Sequence, residues 1–164
     1  MNAKKTLLIG AISGFVVGVL FIYAQPLFGM SALTERHAAA YLALSDMSPS
    51  TAIFIAWTAH LLVSIAYGTA TAVALLLSKN LATYALQILA LGWFTTVIAG
   101  PANQLIVRLV SSAGFPALNN LPPLNFNLDA KLILHLLFFA FIALAIALYT
   151  QFDKRQGLER LANA

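Results

Sequence analysis

Two of the three histidines in this chain stand inside apolar runs, His60 in IAWTAHLLVSIAYG and His135 in LILHLLFFAFIALA, and each is followed by Leu-Leu. Imidazole has few uses in such surroundings. It ligates haem iron, it binds copper or zinc when further ligands join it, or it pairs a ligand's polar head through one donor and one acceptor nitrogen. Gln25, Trp57, Asn103 and Arg108 also lie toward the ends of apolar runs, with Gln104 beside them. Together with His60 and His135 they form the candidate ligand-binding set. Thiol chemistry and disulfides are excluded, because the chain has no cysteine. Gly-rich phosphate loops, HExxH and GxSxG are absent, so no catalytic residue is assigned and a non-catalytic role is expected.

The elements that carry these residues follow from composition. Of 164 residues, 61% are hydrophobic and 9% charged, where soluble domains run at about half apolar and about a quarter charged. A single small soluble core could not hide that much apolar surface, so a lipid bilayer is the expected solvent. The net charge of +4 does not indicate nucleic acid. The basic residues are few and lie at the ends of apolar runs, as anchors to anionic lipid do.

A span needs about 20 mostly apolar residues, and residues 6–28, 52–77, 83–107 and 132–151 qualify. The runs are long and show no alternation of period two, so helices are expected. The expected fold is all-α: four transmembrane helices in one domain over 1–164. Lys4, Lys5, Lys79, Lys154, Arg155 and Arg160 fall on the side of the termini and outnumber Arg36, Arg108 and Lys131. By the positive-inside rule both termini are cytoplasmic, in a bacterial inner membrane, with a short turn at 78–82. The first run is longer than the about 7–15 residues of a signal-peptide core, so it belongs to the fold.

The chain repeats itself. Gly14, Phe15, Ala24 and Gln25 align with Gly92, Trp93, Ala102 and Asn103 at one spacing. His60 and Lys79 align with His135 and Lys154 at a spacing three residues shorter. Two tandem pseudo-symmetric helix pairs, about 6–78 and 83–152, are expected, followed by a polar tail 153–164 in which Gly157 interrupts any helix. Such parallel repeats would be related by an axis along the membrane normal.

The outer loops differ. Residues 32–44 read as a short helix with Ser31 as its N-cap, lying on the interface through Leu33, Ala40, Tyr41 and Leu44. His37, beside Glu35 and Arg36, reads there as solvated. Ser48 and Pro49 suit the start of the second span. The Pro- and Asn-rich loop before the fourth span reads as irregular and long enough to cap the bundle. Pro101 should kink the third span and free a carbonyl near Asn103.

Small residues recur at spacing four on the first span, Gly10, Gly14 and Gly18, and on the second, Ser64, Gly68 and Ala72. Such stripes let membrane helices approach closely. They serve either packing within the chain or a homo-oligomer interface.

Height along a helix follows from about 1.5 Å per residue. His60 is then about 28 Å from Lys79, and His135 as far from Lys154, so both stand near the outer boundary of a core about 30 Å thick. Four readings of the pair remain open: packing alone, axial ligation of haem b, binding of a quinone or lipid head group, and a metal joined by His37. The middles of the spans hold no Asp, Glu, Lys or Arg, which ranks a small channel or transporter last. The function expected is a membrane subunit or binding protein with a polar ligand or partner site near its outer face, self-associating or joined to a larger complex. The alternative is a redox protein that carries haem b or handles quinone through His60 and His135.

Overall fold

The computed structural model describes residues 2–112 and 114–162, and their side chains except at 118 and 154–162. The expected roles of the Lys154, Arg155 and Arg160 side chains lie outside the described residues. All regular structure among the described residues is helical: α1 Ala3–Ala24, a 3-10 turn Gln25–Phe28, α2 Leu33–Leu44, α3 Pro49–Leu77, α4 Leu81–Val110, a 3-10 turn Leu118–Asn120, and α5 Ala130–Ala162. Four helices are long and apolar enough to cross a membrane, over Ala3–Phe28, Pro49–Leu77, Leu81–Val110 and Ala130–Asp153. This is a multi-pass membrane protein. Each helix satisfies its own backbone, as hydrocarbon demands, and the large apolar side chains left exposed, such as Leu8, Leu20, Leu62 and Leu86, are those that meet lipid.

Helix ends are set by short-range chemistry. Asn2 accepts from the amides of Lys4 and Lys5, Ser48 from Thr51 and Asn80 from Thr83. Asp129 Oδ1 accepts from the amides of Lys131 at 3.0 Å and Leu132 at 3.1 Å, which fixes the start of α5. The α3–α4 turn is only Ser78–Asn80. Two expectations fail at helix ends. Ala32, not Ser31, precedes α2, and it makes no side-chain cap. Nor does Gly157 stop α5, which runs on to Ala162. A single glycine costs about 1 kcal/mol in a helix, and the surrounding Gln, Leu, Glu and Arg are good helix formers.

The tightest packing joins α1 to α3. A Cβ built on Gly10 would lie 2.5 Å from the Gly68 carbonyl oxygen and 2.6 Å from the Ala72 Cβ, and one on Gly18 would lie 2.6 Å from the Ser64 Cβ. Only glycine fits at these α1 positions. The stripe Gly10, Gly14, Gly18 is thus used inside the chain, against Ser64, Gly68 and Ala72. A second core forms where α5 enters: Phe139, Ile142 and Ile146 are wholly buried, and the Phe138 and Phe21 rings meet edge-on at 5.3 Å. Lys5 forms an ion pair with Asp153 and sits 5.4 Å over the Tyr149 ring. These contacts gather Lys5, Asp153 and the α3–α4 turn at one end, called here the terminal end. The opposite end, which carries α2, is the outer end.

The α4–α5 contact differs in register from α1–α3. Gly92 faces Leu136, with a built Cβ 2.7 Å from its Cδ2, whereas the aligned Gly14 meets Ser64 and Gly68. Counting outward from Gly92 and Leu136 at about 1.5 Å per residue, α5 begins about 9 Å out while α4 ends about 27 Å out. The connecting loop must therefore descend along α4, and it does so at Pro101. Proline has no N–H for the carbonyl four residues earlier, so the freed acceptor is Val97 and not one near Asn103. The Asn125 amide donates to Val97 O at 3.0 Å. Pro122 packs 3.4 Å from a Cβ built on Gly100, and the Phe126 ring lies 6.3 Å from Trp93. The loop lines the flank of α4 rather than capping the bundle.

Two variants test this packing. Gly68→Leu should cost at least about 3 kcal/mol in reversible unfolding in detergent, because the new side chain meets α1 backbone. Ala66→Leu, on the exposed side of the same helix, should stay within about 0.5 kcal/mol of wild type. Pro101→Ala restores a helical donor to Val97, so amide exchange at Asn125 should accelerate roughly tenfold.

Candidate functional site

Five of the six residues of the expected set have contacts of their own. His60 hydrogen-bonds Gly18 O through Nε2 at 2.9 Å, a contact open only because Gly18 has no side chain. His135 Nδ1 bonds the carbonyl of Lys131, in its own helix, at 2.8 Å. Trp57 stacks obliquely on Tyr23 at 6.4 Å. Arg108 Nε donates to Gly114 O at 3.4 Å and ties the end of α4 to the loop. Gln25 is buried, and its Oε1 accepts from the Leu33 amide at 2.7 Å. It caps α2 from eight residues away, the cap that Ser31 was expected to supply. Asn103 precedes Gln104 on α4 and points about 100° away from it.

His60 lies against Gly18 of α1. Phe138, one turn along α5 from His135, meets Phe21 of α1 and Tyr67 of α3 edge-on. The histidine whose charge His60 opposes is His37.

Amphipathic spacing brings His37 there. On α2, Thr34, His37, Ala38 and Tyr41 share one face, at 2%, 6%, 8% and 0% exposure. Leu42 and Leu44, with Glu35, Arg36 and Ala39, face outward. This corrects both the solvated reading of His37 and the interfacial face assigned to Leu33, Ala40 and Leu44. The α2 face packs on Ala52 and Ala56 near the start of α3 and on Val107 near the end of α4. Gln104 and Ser111 lie one turn before and after Val107, on the same side of α4. His60 lies one turn inward of Ala56 on α3, below His37.

The polar atoms on these surfaces are the unusual feature. His37 Nδ1 and Nε2, Tyr41 Oη, Gln104 Oε1 and Ser111 Oγ are buried without a hydrogen-bond partner among the described residues. Buried polar atoms nearly always have one, and each unpaired group costs about 1–3 kcal/mol. The His37 and Tyr41 rings are 6.0 Å apart. Burial, then Arg36, then His60 push the His37 imidazolium down to about 4, so the ring is neutral at neutral pH and offers one donor and one acceptor. Burial also raises the Tyr41 phenol. No group of three or more His, Cys, Asp or Glu gathers as metal ligands among the described residues. Among the described residues, the only other one with a buried polar atom left unpaired is Tyr84, in the core near the terminal end.

Sequence reasoning placed Gln104 near a site but missed Tyr41 and Ser111. The signal that would have found them is the polar-small spacing Thr34, His37, Ala38, Tyr41, which reads as a buried face once α2 is known to dock. No known protein family, characterised protein or solved structure matches this chain.

His37 makes the docking of α2 depend on pH. Its docked pKa lies below the usual 6.5, so the undocked state binds more protons between about 6.5 and about 4. Docking is then full above about pH 6.5 and weakens by up to about 3 kcal/mol as pH falls toward 4. Proteolysis of the 29–48 segment should quicken over that window, and His37→Gln should flatten the dependence.

Proposed function

We propose that this chain is a non-catalytic membrane binding protein that holds a polar ligand or partner group beneath α2, between the outer ends of α3 and α4. The observation that carries the reading is His37, 6% exposed with both ring nitrogens unpaired. The unpaired Tyr41, Gln104 and Ser111 atoms support it. Buried polar atoms without partners call for an explanation, and a bound group that pairs with them supplies one. The proposed site adjoins His60, whose charge opposes one on His37, and makes no use of His135. A haem held by His60 and His135 is the alternative reading: one nitrogen of each ring is taken by a carbonyl, Gly18 O and Lys131 O, and the other would have to bind the iron.

The positive-inside count remains the argument for cytoplasmic termini and a bacterial inner membrane. The ligand site would then face the outer compartment. The tandem-repeat origin is supported by α1 packing with α3 and α4 with α5, although the two seams differ in register. Self-association or membership of a larger complex would use surfaces other than the glycine stripe, which α3 already covers.

Extraction of the wild type and of His37→Phe in native-lipid discs, followed by mass spectrometry of bound small molecules and partner chains, tests the reading. A species retained by wild type and lost from the variant is expected. Identical contents in both, with both folded, would leave α2 as a packing element only.

A further inference from the structure

The unpaired atoms define what would satisfy them. Neutral His37 supplies one donor and one acceptor, Tyr41 and Ser111 hydroxyls serve as either, and Gln104 Oε1 only accepts. The set therefore asks for a group that both donates and accepts. It does not ask for charge. Glu35 and Asp46 are exposed, Arg36 lies on the outward face of α2, and Arg108 donates to Gly114 O. A cation would meet the Arg36 charge that already opposes a charge on His37, and an anion would give up its hydration with only Arg36, on the outward face, to offset the loss, which is unfavourable.

The surroundings are apolar and close to lipid. Ala38, Ala52, Ala56 and Val107 are all buried around the polar atoms. Leu42 and Leu44 on α2 and Leu109 on α4 are exposed beside the site, at 39%, 44% and 45%. An apolar rim at the outer end of two membrane helices admits a molecule arriving from the bilayer more readily than one arriving from water.

We infer that the ligand is the uncharged, carbonyl- or hydroxyl-bearing head of a membrane-dissolved molecule, chemistry shared by an isoprenoid quinone or quinol and by the free hydroxyl of a diacylglycerol. The inference rests on the reading of the α2 site as a ligand site and narrows it to one chemical class. The tail would lie in the bilayer beside α3 and α4. The head would accept from Tyr41 or His37 and, in a hydroxyl form, donate to Gln104.

The test uses the full chain in phosphatidylcholine nanodiscs, freed of endogenous ligand, with thermal unfolding followed against four probes: a short-chain benzoquinol, dioctanoylglycerol, inorganic phosphate and zinc. Benzoquinol or dioctanoylglycerol should raise the unfolding temperature saturably, and whichever does so identifies the source. Tyr41→Phe, which keeps the ring and removes the hydroxyl, should weaken that binding about tenfold, and His37→Phe should abolish it. Stabilisation by phosphate or zinc that depends on His37 would overturn the neutral-head inference and leave the ligand site standing. Stabilisation by a neutral probe that both variants retain would place its binding elsewhere and overturn the inference. Failure of all four probes, with nothing retained by the wild type in native-lipid discs, would sink both proposals and leave the polar atoms to ordered water.

Discussion

A peptide group that enters hydrocarbon must find its hydrogen bond within the chain, and the exceptional features of this protein are the places where that demand is hardest to meet. Most of the backbone meets it by continuous helix. Pro101 breaks the ladder in α4, and the orphaned Val97 carbonyl draws the Asn125 amide down beside it. The first turn of α2 exposes amides, and Gln25, carried at the end of α1, reaches across to one of them. A loop and a short helix are thereby tied to the bundle, each with a bond between a displaced acceptor and a free donor alongside its packing contacts.

The seam between α1 and α3 shows the same economy in packing. Ala52, Ala56, His60, Ser64, Gly68 and Ala72 recur at spacing four along α3, a row that winds slowly around a helix of 3.6 residues per turn. Its inner part meets the glycines of α1, and its outer part meets α2. His60 is the one large member, placed where the row leaves one neighbour for the other. Its bond to Gly18 O marks the outer limit of the close approach.

Much of this was legible in the sequence. The four spans are carried by length and hydropathy alone, and the structure extends them by a few residues where Ser48, Asn80 and Asp129 supply caps. The glycine and serine rows told which faces could approach closely, though not which helix would answer. The site was less legible. His60 and His135 stand out in apolar runs, yet each has one ring nitrogen on a carbonyl, Gly18 O of α1 for His60 and Lys131 O of its own helix for His135. His37 looked ordinary because Glu35 and Arg36 flank it, and flanking residues on a helix face other directions. What decided its burial was the docking of α2 on α3 and α4, a tertiary event that neighbouring residues do not encode.

The offset of α5 has a consequence for the membrane itself. Its first turn starts about 18 Å short of the outer end of α4, and the approach to it carries Asn125, Asn127, Asp129 and Lys131. The fourth span, Ala130–Asp153, is still about 36 Å long, so it is shifted toward the terminal end rather than shortened. A bilayer of one thickness then meets α4 and α5 at different heights. Lipids beside the start of α5 must tilt or thin to keep those polar groups wet, at a modest cost per ångström.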